Sequence, residues 1–204
     1  MKVIISPAKT IRENSYRALS KPVFIDKYNE VVDKYPSLVD MSKKMCAIYM
    51  YNGLVYKQFD REKWDEDFVQ NHLVILSATY GAIRPYDEVS PDRMDFLKAS
   101  SLYKFWGEDV FNKFFKDEII VNLASEEFSK MISKYVKEEN FIDFSFTKDG
   151  KKHATTSKKA RGILANAIMI NKIDDYRNIP LLELKNLKFI SELSSSRHFH
   201  FELT

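Results

Sequence analysis

Leu73-Val74-Ile75-Leu76-Ser77-Ala78-Thr79-Tyr80-Gly81-Ala82-Ile83-Arg84-Pro85-Tyr86-Asp87-Glu88-Val89-Ser90-Pro91-Asp92-Arg93 opens on four consecutive apolar residues and closes on a charged stretch punctuated by prolines. A short continuous apolar run is the pattern of a strand buried on both faces. Ser77, Ala78, Gly81 and Ala82 follow, small enough to let other backbone or a ligand come close. The remainder carries Arg84, Asp87, Asp92 and Arg93, but also Tyr80, Ile83, Tyr86 and Val89, too much apolar surface for a disordered segment. It reads as an ordered, charged loop at the carboxyl end of a central strand, where open α/β sheets hold their ligands. A plain surface connection over buried aromatics is the other reading.

Two further stretches repeat this pattern. Lys2-Val3-Ile4-Ile5 runs into Ser6-Pro7-Ala8-Lys9-Thr10, and Ile119-Ile120-Val121 runs into Asn122-Leu123-Ala124-Ser125-Glu126-Glu127. If the three apolar runs are parallel neighbours, Lys9, Tyr80, Arg84, Asn122 and Ser125 converge at one edge of the sheet. Ser6, Tyr80, Asn122 and Ser125 are then the candidate lining of a polar pocket.

The 204 residues suit one well-buried domain, and 45% hydrophobic with 14% aromatic residues points to a packed core. No apolar run nears the roughly 20 residues a membrane span requires. The chain opens at once on a strand, which leaves no room for a signal peptide. Cys46 is the only cysteine, so an internal disulfide and a cysteine-cluster metal site are excluded. These features together lead us to expect a cytoplasmic protein that does not engage a membrane. The net charge is only +3, yet residues 148–161 hold Lys148, Lys151, Lys152, Lys158, Lys159 and Arg161 against Asp149 alone. All the excess basicity therefore lies in that segment, and the rest of the chain is slightly acidic.

The periodicities predict helices over residues 26–35, 37–49, 61–72 and 101–115, a short strand over 94–98, and a helix capped by Ser125. Residues 140–147 alternate as a half-buried strand, Asp149-Gly150 signals a hairpin with a return strand over 151–155, and a helix begins at Ser157. A second hairpin is expected from residues 187–193 and 197–203. The expected fold class is a mixed α/β single domain spanning residues 1–204, with a central sheet, flanking helices and appended antiparallel hairpins.

Lys158, Lys159 and Arg161 fall in the first turn of the helix expected from Ser157, where the helix dipole disfavours cations. Three together make a candidate anion or phosphate site; a solvated basic face is the plainer reading. His198, His200 and Glu202 alternate as metal ligands on a strand would, but are read as the outer face of a terminal strand, and no metal site is expected. No glycine-rich nucleotide loop, His-Glu-x-x-His or Gly-x-Ser-x-Gly is present, so enzymatic activity stays open and no cofactor is expected. His72, His153 and Cys46 read as structural.

Ile5-Ser6-Pro7-Ala8-Lys9-Thr10, Asn52-Gly53-Leu54-Val55-Tyr56, Leu76-Ser77-Ala78-Thr79-Tyr80-Gly81 with Arg84-Pro85, and Arg93-Met94-Asp95-Phe96 are joined by three later motifs. These are Leu102-Tyr103-Lys104-Phe105-Trp106, Val121-Asn122-Leu123-Ala124-Ser125-Glu126-Glu127-Phe128 and Ser157-Lys158-Lys159-Ala160-Arg161-Gly162. In this order, and over nearly the whole chain, they resemble the YaaA family of bacterial peroxide-stress proteins. The resemblance implies a cytoplasmic protein of unusual mixed α/β fold that limits unincorporated intracellular iron under hydrogen peroxide. It also implies a positively charged cleft and duplex DNA binding, attributed in part to a helix-hairpin-helix element. Between Pro36 and Asn52 this chain is shorter than that pattern and has no glycine hairpin between two helices, so DNA binding would rest on the cleft. The first functional reading is nonspecific nucleic-acid binding through phosphate contacts from Lys9, Arg84, Arg93, Lys158, Lys159 and Arg161. The second is an enzyme acting on a nucleotide or nucleobase, with Asn122 and Ser125 reading the ligand and Tyr80 stacking on it. A direct iron binder is the third. No protein partner is expected.

Overall fold

The computed structural model describes residues 1–204. Leu73–Ser77 is a strand with every residue buried, as its unbroken apolar run predicts. In chain order the strands are β1 (Lys2–Ile5), β2 (Met45–Cys46), β3 (Leu73–Ser77), β4 (Gly81–Ile83), β5 (Glu88–Val89), β6 (Ile120–Asn122), β7 (Phe141–Thr147), β8 (Leu187–Phe189) and β9 (His198–Leu203). Seven of them form one sheet in the order β4-β3-β1-β6-β7-β9-β8, and β2 pairs with β5 apart from it. The five inner strands run parallel, with Val3 opposite both Leu73 and Val121, so the expected parallel neighbours are found. An antiparallel strand closes each edge.

The α-helices are α1 (Ile25–Lys34), α2 (Ala47–Met50), α3 (Glu66–His72), α4 (Leu102–Val110), α5 (Glu126–Ser133) and α6 (Ala154–Ile170). Alternation along the strands divides the core in two. Val3, Ile5, Ile75 and Val121 belong with Leu164 and Ile168 of α6, whereas Ile4, Val74, Leu76 and Ile120 belong with Trp106 of α4 and Met131 of α5. Helices thus cover both faces, as a parallel sheet requires.

Several local expectations are corrected. Residues 37–49 are not one helix: Pro36–Leu38 is a 3-10 turn, and Met45 and Cys46 pair with Val89 and Glu88 before the single turn of α2. Tertiary pairing overrides helix propensity there, and no helix-hairpin-helix forms between Pro36 and Asn52. The helix expected over 61–72 is a 3-10 turn at Arg61–Lys63, then α3 capped by Asp65, whose carboxylate accepts the Phe68 N–H. Residues 94–98 are turns rather than a strand, because Asp92 and Asp95 accept the amides of Met94 and Lys98. The return strand over 151–155 shrinks to one bridge between Lys148 and Lys151. As a result α6 starts at Ala154, and Lys158, Lys159 and Arg161 stand beyond its first turn. β9 lies between β7 and β8 rather than at an edge, and His200 on it is buried.

Candidate functional site

A cleft of about 360 Å³ opens beyond the carboxyl ends of β1 and β6. Pro7 lacks an N–H and cannot extend β1, so the chain turns out after Ile5 and leaves Ser6 facing the exit of β6. The Ser6 hydroxyl oxygen accepts the Ser125 N–H at 2.8 Å and lies 3.1 Å from the Ser125 hydroxyl oxygen. Ser125 occupies the N-cap position of α5, but its side chain makes no capping bond, contrary to expectation; it ties two strand ends together instead. The Tyr56 hydroxyl donates to the Ser6 carbonyl at 2.8 Å. Gly53 closes this wall: a Cβ there would stand 2.8 Å from the Ala8 Cβ.

Charge enters the cleft from four elements, with Lys9 from the loop after β1 and Glu127 from α5 among its carriers. The loop after β5 brings Asp92, Arg93 and Asp95; α6 brings Lys158 and Arg161. Asp95 is buried and pairs with Lys9 at 3.1 Å and Lys98 at 3.5 Å. Burial alone would raise its pKa, but the Lys98 amide and the two ammonium groups hold the carboxyl below the usual range. Asp92 forms no ion pair of this kind, and burial pushes its pKa up to about 6. Burial also lowers the pKa of Arg161, with Asp143 as its opposing charge, and the Arg161 Nε has no hydrogen-bond partner. Tyr51 lines the same cleft, buried, and its hydroxyl also lacks a partner.

Of the residues singled out from sequence, Ser6, Lys9, Arg93, Ser125, Lys158 and Arg161 line the cleft, while Tyr80, Arg84, Asn122 and Lys159 do not. Tyr80 is a core residue, stacked on Tyr28 at 4.3 Å with its hydroxyl accepting the Ser90 N–H, so no ligand can stack on it. Arg84 is held by Asp87 at 3.3 Å and by the Lys21 carbonyl. Asn122 is occupied within the sheet end, donating to Asp143 at 2.7 Å and accepting the Ala124 N–H. Lys159 is exposed on α6 beside the mouth. Sequence reasoning missed Tyr51; its one signal was its place directly before the Asn52-Gly53 turn.

His198, His200 and Glu202 do share a face, but their polar atoms meet Ser145 and Thr147 of β7. No three His, Cys, Asp or Glu residues come together to hold a metal ion. Cys46 is fully buried, and burial pushes its thiol up to about 11. No helix is long and apolar enough to cross a membrane.

The chain is similar to a UPF0246 protein of Clostridioides difficile (strain 630), 30% identical over 244 aligned positions that cover 98% of this chain and 99% of that protein. A UPF0246 protein of Finegoldia magna is 32% identical over 240 positions, covering 98% and 97%. One from Streptococcus gordonii is 36% identical over 167 positions, covering 76% and 68%. The first two alignments are longer than the 204 residues of this chain, so those relatives carry segments that it lacks. The family model described as peroxide stress protein YaaA matches residues 34–193, most of the chain, and the chain belongs to that family.

Proposed function

We propose that the protein acts in the cytoplasm under peroxide stress, limits unincorporated iron, and engages duplex DNA nonspecifically through the basic rim of its cleft. One observation carries the DNA reading. Arg93, Lys158 and Lys159 stand exposed at or beside the mouth, and none of them forms an ion pair with a carboxylate. Lys151 and Lys152 continue the charge along the turn that precedes α6. Exposed cations without protein partners are the groups onto which phosphates exchange their counterions, an interaction that carries no sequence information. Binding on this reading rests on the cleft and α6, since the segment before Asn52 forms no helix-hairpin-helix.

The test is a double substitution, Lys158→Ala with Lys159→Ala. Both side chains are exposed on α6, so folding is retained while duplex affinity falls. The plot of log affinity against log salt flattens by about one unit for each phosphate left without its lysine. An unchanged salt slope would remove α6 from the interface.

A further inference from the structure

The lining of the cleft includes buried polar groups that nothing in the protein meets. Tyr51 is 3% exposed, and its hydroxyl has no partner although it lies in the wall of a cavity. Arg161, half-buried in the same cavity, presents an Nε without a partner and forms no ion pair with a carboxylate. Buried donors are almost always met in folded proteins, because leaving one unmet forfeits its hydration with nothing in return. Here two of them belong to residues that line one cavity, whose volume of about 360 Å³ falls in the range of small-molecule sites.

We propose that this cavity binds a small phosphate monoester that carries a ring, the class of the nucleoside monophosphates. Arg161, Lys158 and the Tyr51 hydroxyl would meet the phosphate, and Leu54, Met94 and Phe128 would pack against the ring. The inference goes beyond duplex binding and rests on Tyr51 and Arg161, sharing only Lys158 with the rim. A phosphate monoester offers three oxygens and nearly two negative charges, which matches one guanidinium, one ammonium and one hydroxyl donor better than a carboxylate does. The apolar part of the lining has no use for a bare oxyanion and suits the body of a larger ligand.

The experiment is calorimetric titration of the full chain with adenosine, guanosine, cytidine and uridine monophosphates, with inorganic phosphate, and separately with a short duplex. At least one nucleoside monophosphate is expected to saturate with Kd below about 1 mM. Tyr51→Phe should weaken that binding about tenfold and Arg161→Gln by more, while Tyr51→Phe leaves duplex affinity unchanged. Without nucleotide, the thermal midpoint of Tyr51→Phe should equal or exceed that of the unsubstituted chain, since the hydroxyl it removes made no hydrogen bond. Three results would each overturn the proposal: no monophosphate saturates, Tyr51→Phe binds as tightly as before, or its midpoint drops. Equal affinity for inorganic phosphate would overturn the ring-bearing class. Duplex binding is read independently with Lys159→Ala, a residue outside the cleft, so failure of one reading is distinguishable from failure of the other.

Discussion

Asp92 sits in the cleft with its carboxylate accepting the Met94 N–H at 3.0 Å, and burial raises its pKa from the usual 3.8 to about 6. Between those two values the folded state holds a proton that the unfolded chain has released. Stability therefore falls as the pH rises through that window, and the cost is complete above it. Asp92→Asn keeps an acceptor for the Met94 amide and removes the buried charge. It should stabilise the fold at pH 7 by about 1–3 kcal/mol and flatten the dependence of stability on pH between about 4 and 6. Urea unfolding at both ends of the window checks this; a variant no more stable at pH 7 would refute it. Little of this was legible in the chain. Asp92 and Arg93 are adjacent in sequence, but the desolvation of one and the exposure of the other follow from packing. Ser6, Lys9, Ser125, Lys158 and Arg161 could be picked out as polar residues beyond apolar runs or within the basic segment. Tyr80 could not be told from a ligand-stacking tyrosine, since the difference lies in Tyr28, which reaches it from another element.

α6 shows where a local rule misleads. Ser157 is a good N-cap by type, yet the helix begins at Ala154, because the chain leaves the Lys148–Lys151 bridge early enough to turn helical sooner. Lys158 and Lys159 consequently stand in the second turn, where the helix dipole no longer bears on them, while their place at or beside the cleft mouth remains. Gly162 lies further along the same helix. An exposed helical glycine gains about 1 kcal/mol on change to alanine. Here the added Cβ would stand 2.3 Å from the Val55 carbonyl oxygen and 2.9 Å from the Val55 Cα. Backbone cannot yield as a side chain tip does, so the sign reverses. Gly162→Ala should lose about 2 kcal/mol in chemical denaturation and displace the Gly53–Tyr56 wall of the cleft. A neutral or stabilising outcome would show that α6 and this wall are less tightly joined than so close an approach requires. Residues 37–49 failed as a helix for a related reason: the pairing of Met45 and Cys46 with β5 is invisible to any periodicity within the segment.

The sheet was the most legible feature, because β1, β3 and β6 are apolar nearly throughout and only burial on both faces accounts for such runs. Their order across the sheet, and the insertion of β9 between β7 and β8, depend on pairings far apart in sequence and left no local trace. Cys46 belongs to this closed interior. With its thiol fully buried and pushed up to about 11, it should react with a disulfide reagent only when the fold opens. Its labelling rate should then rise with denaturant in parallel with unfolding, and native protein exposed to hydrogen peroxide should keep the thiol reduced. Rapid native labelling would place Cys46 at a surface. The strand order has one more consequence, which concerns time. β1 is the first of the seven strands to be made, but its partners β3 and β6 lie about 70 and 118 residues later in the chain. At the roughly 5–20 residues per second of translation, β1 waits several seconds for its neighbours. The sheet is completed only when β9 is added between strands already made, so the nascent chain carries an apolar strand lacking one or both partners for much of its synthesis.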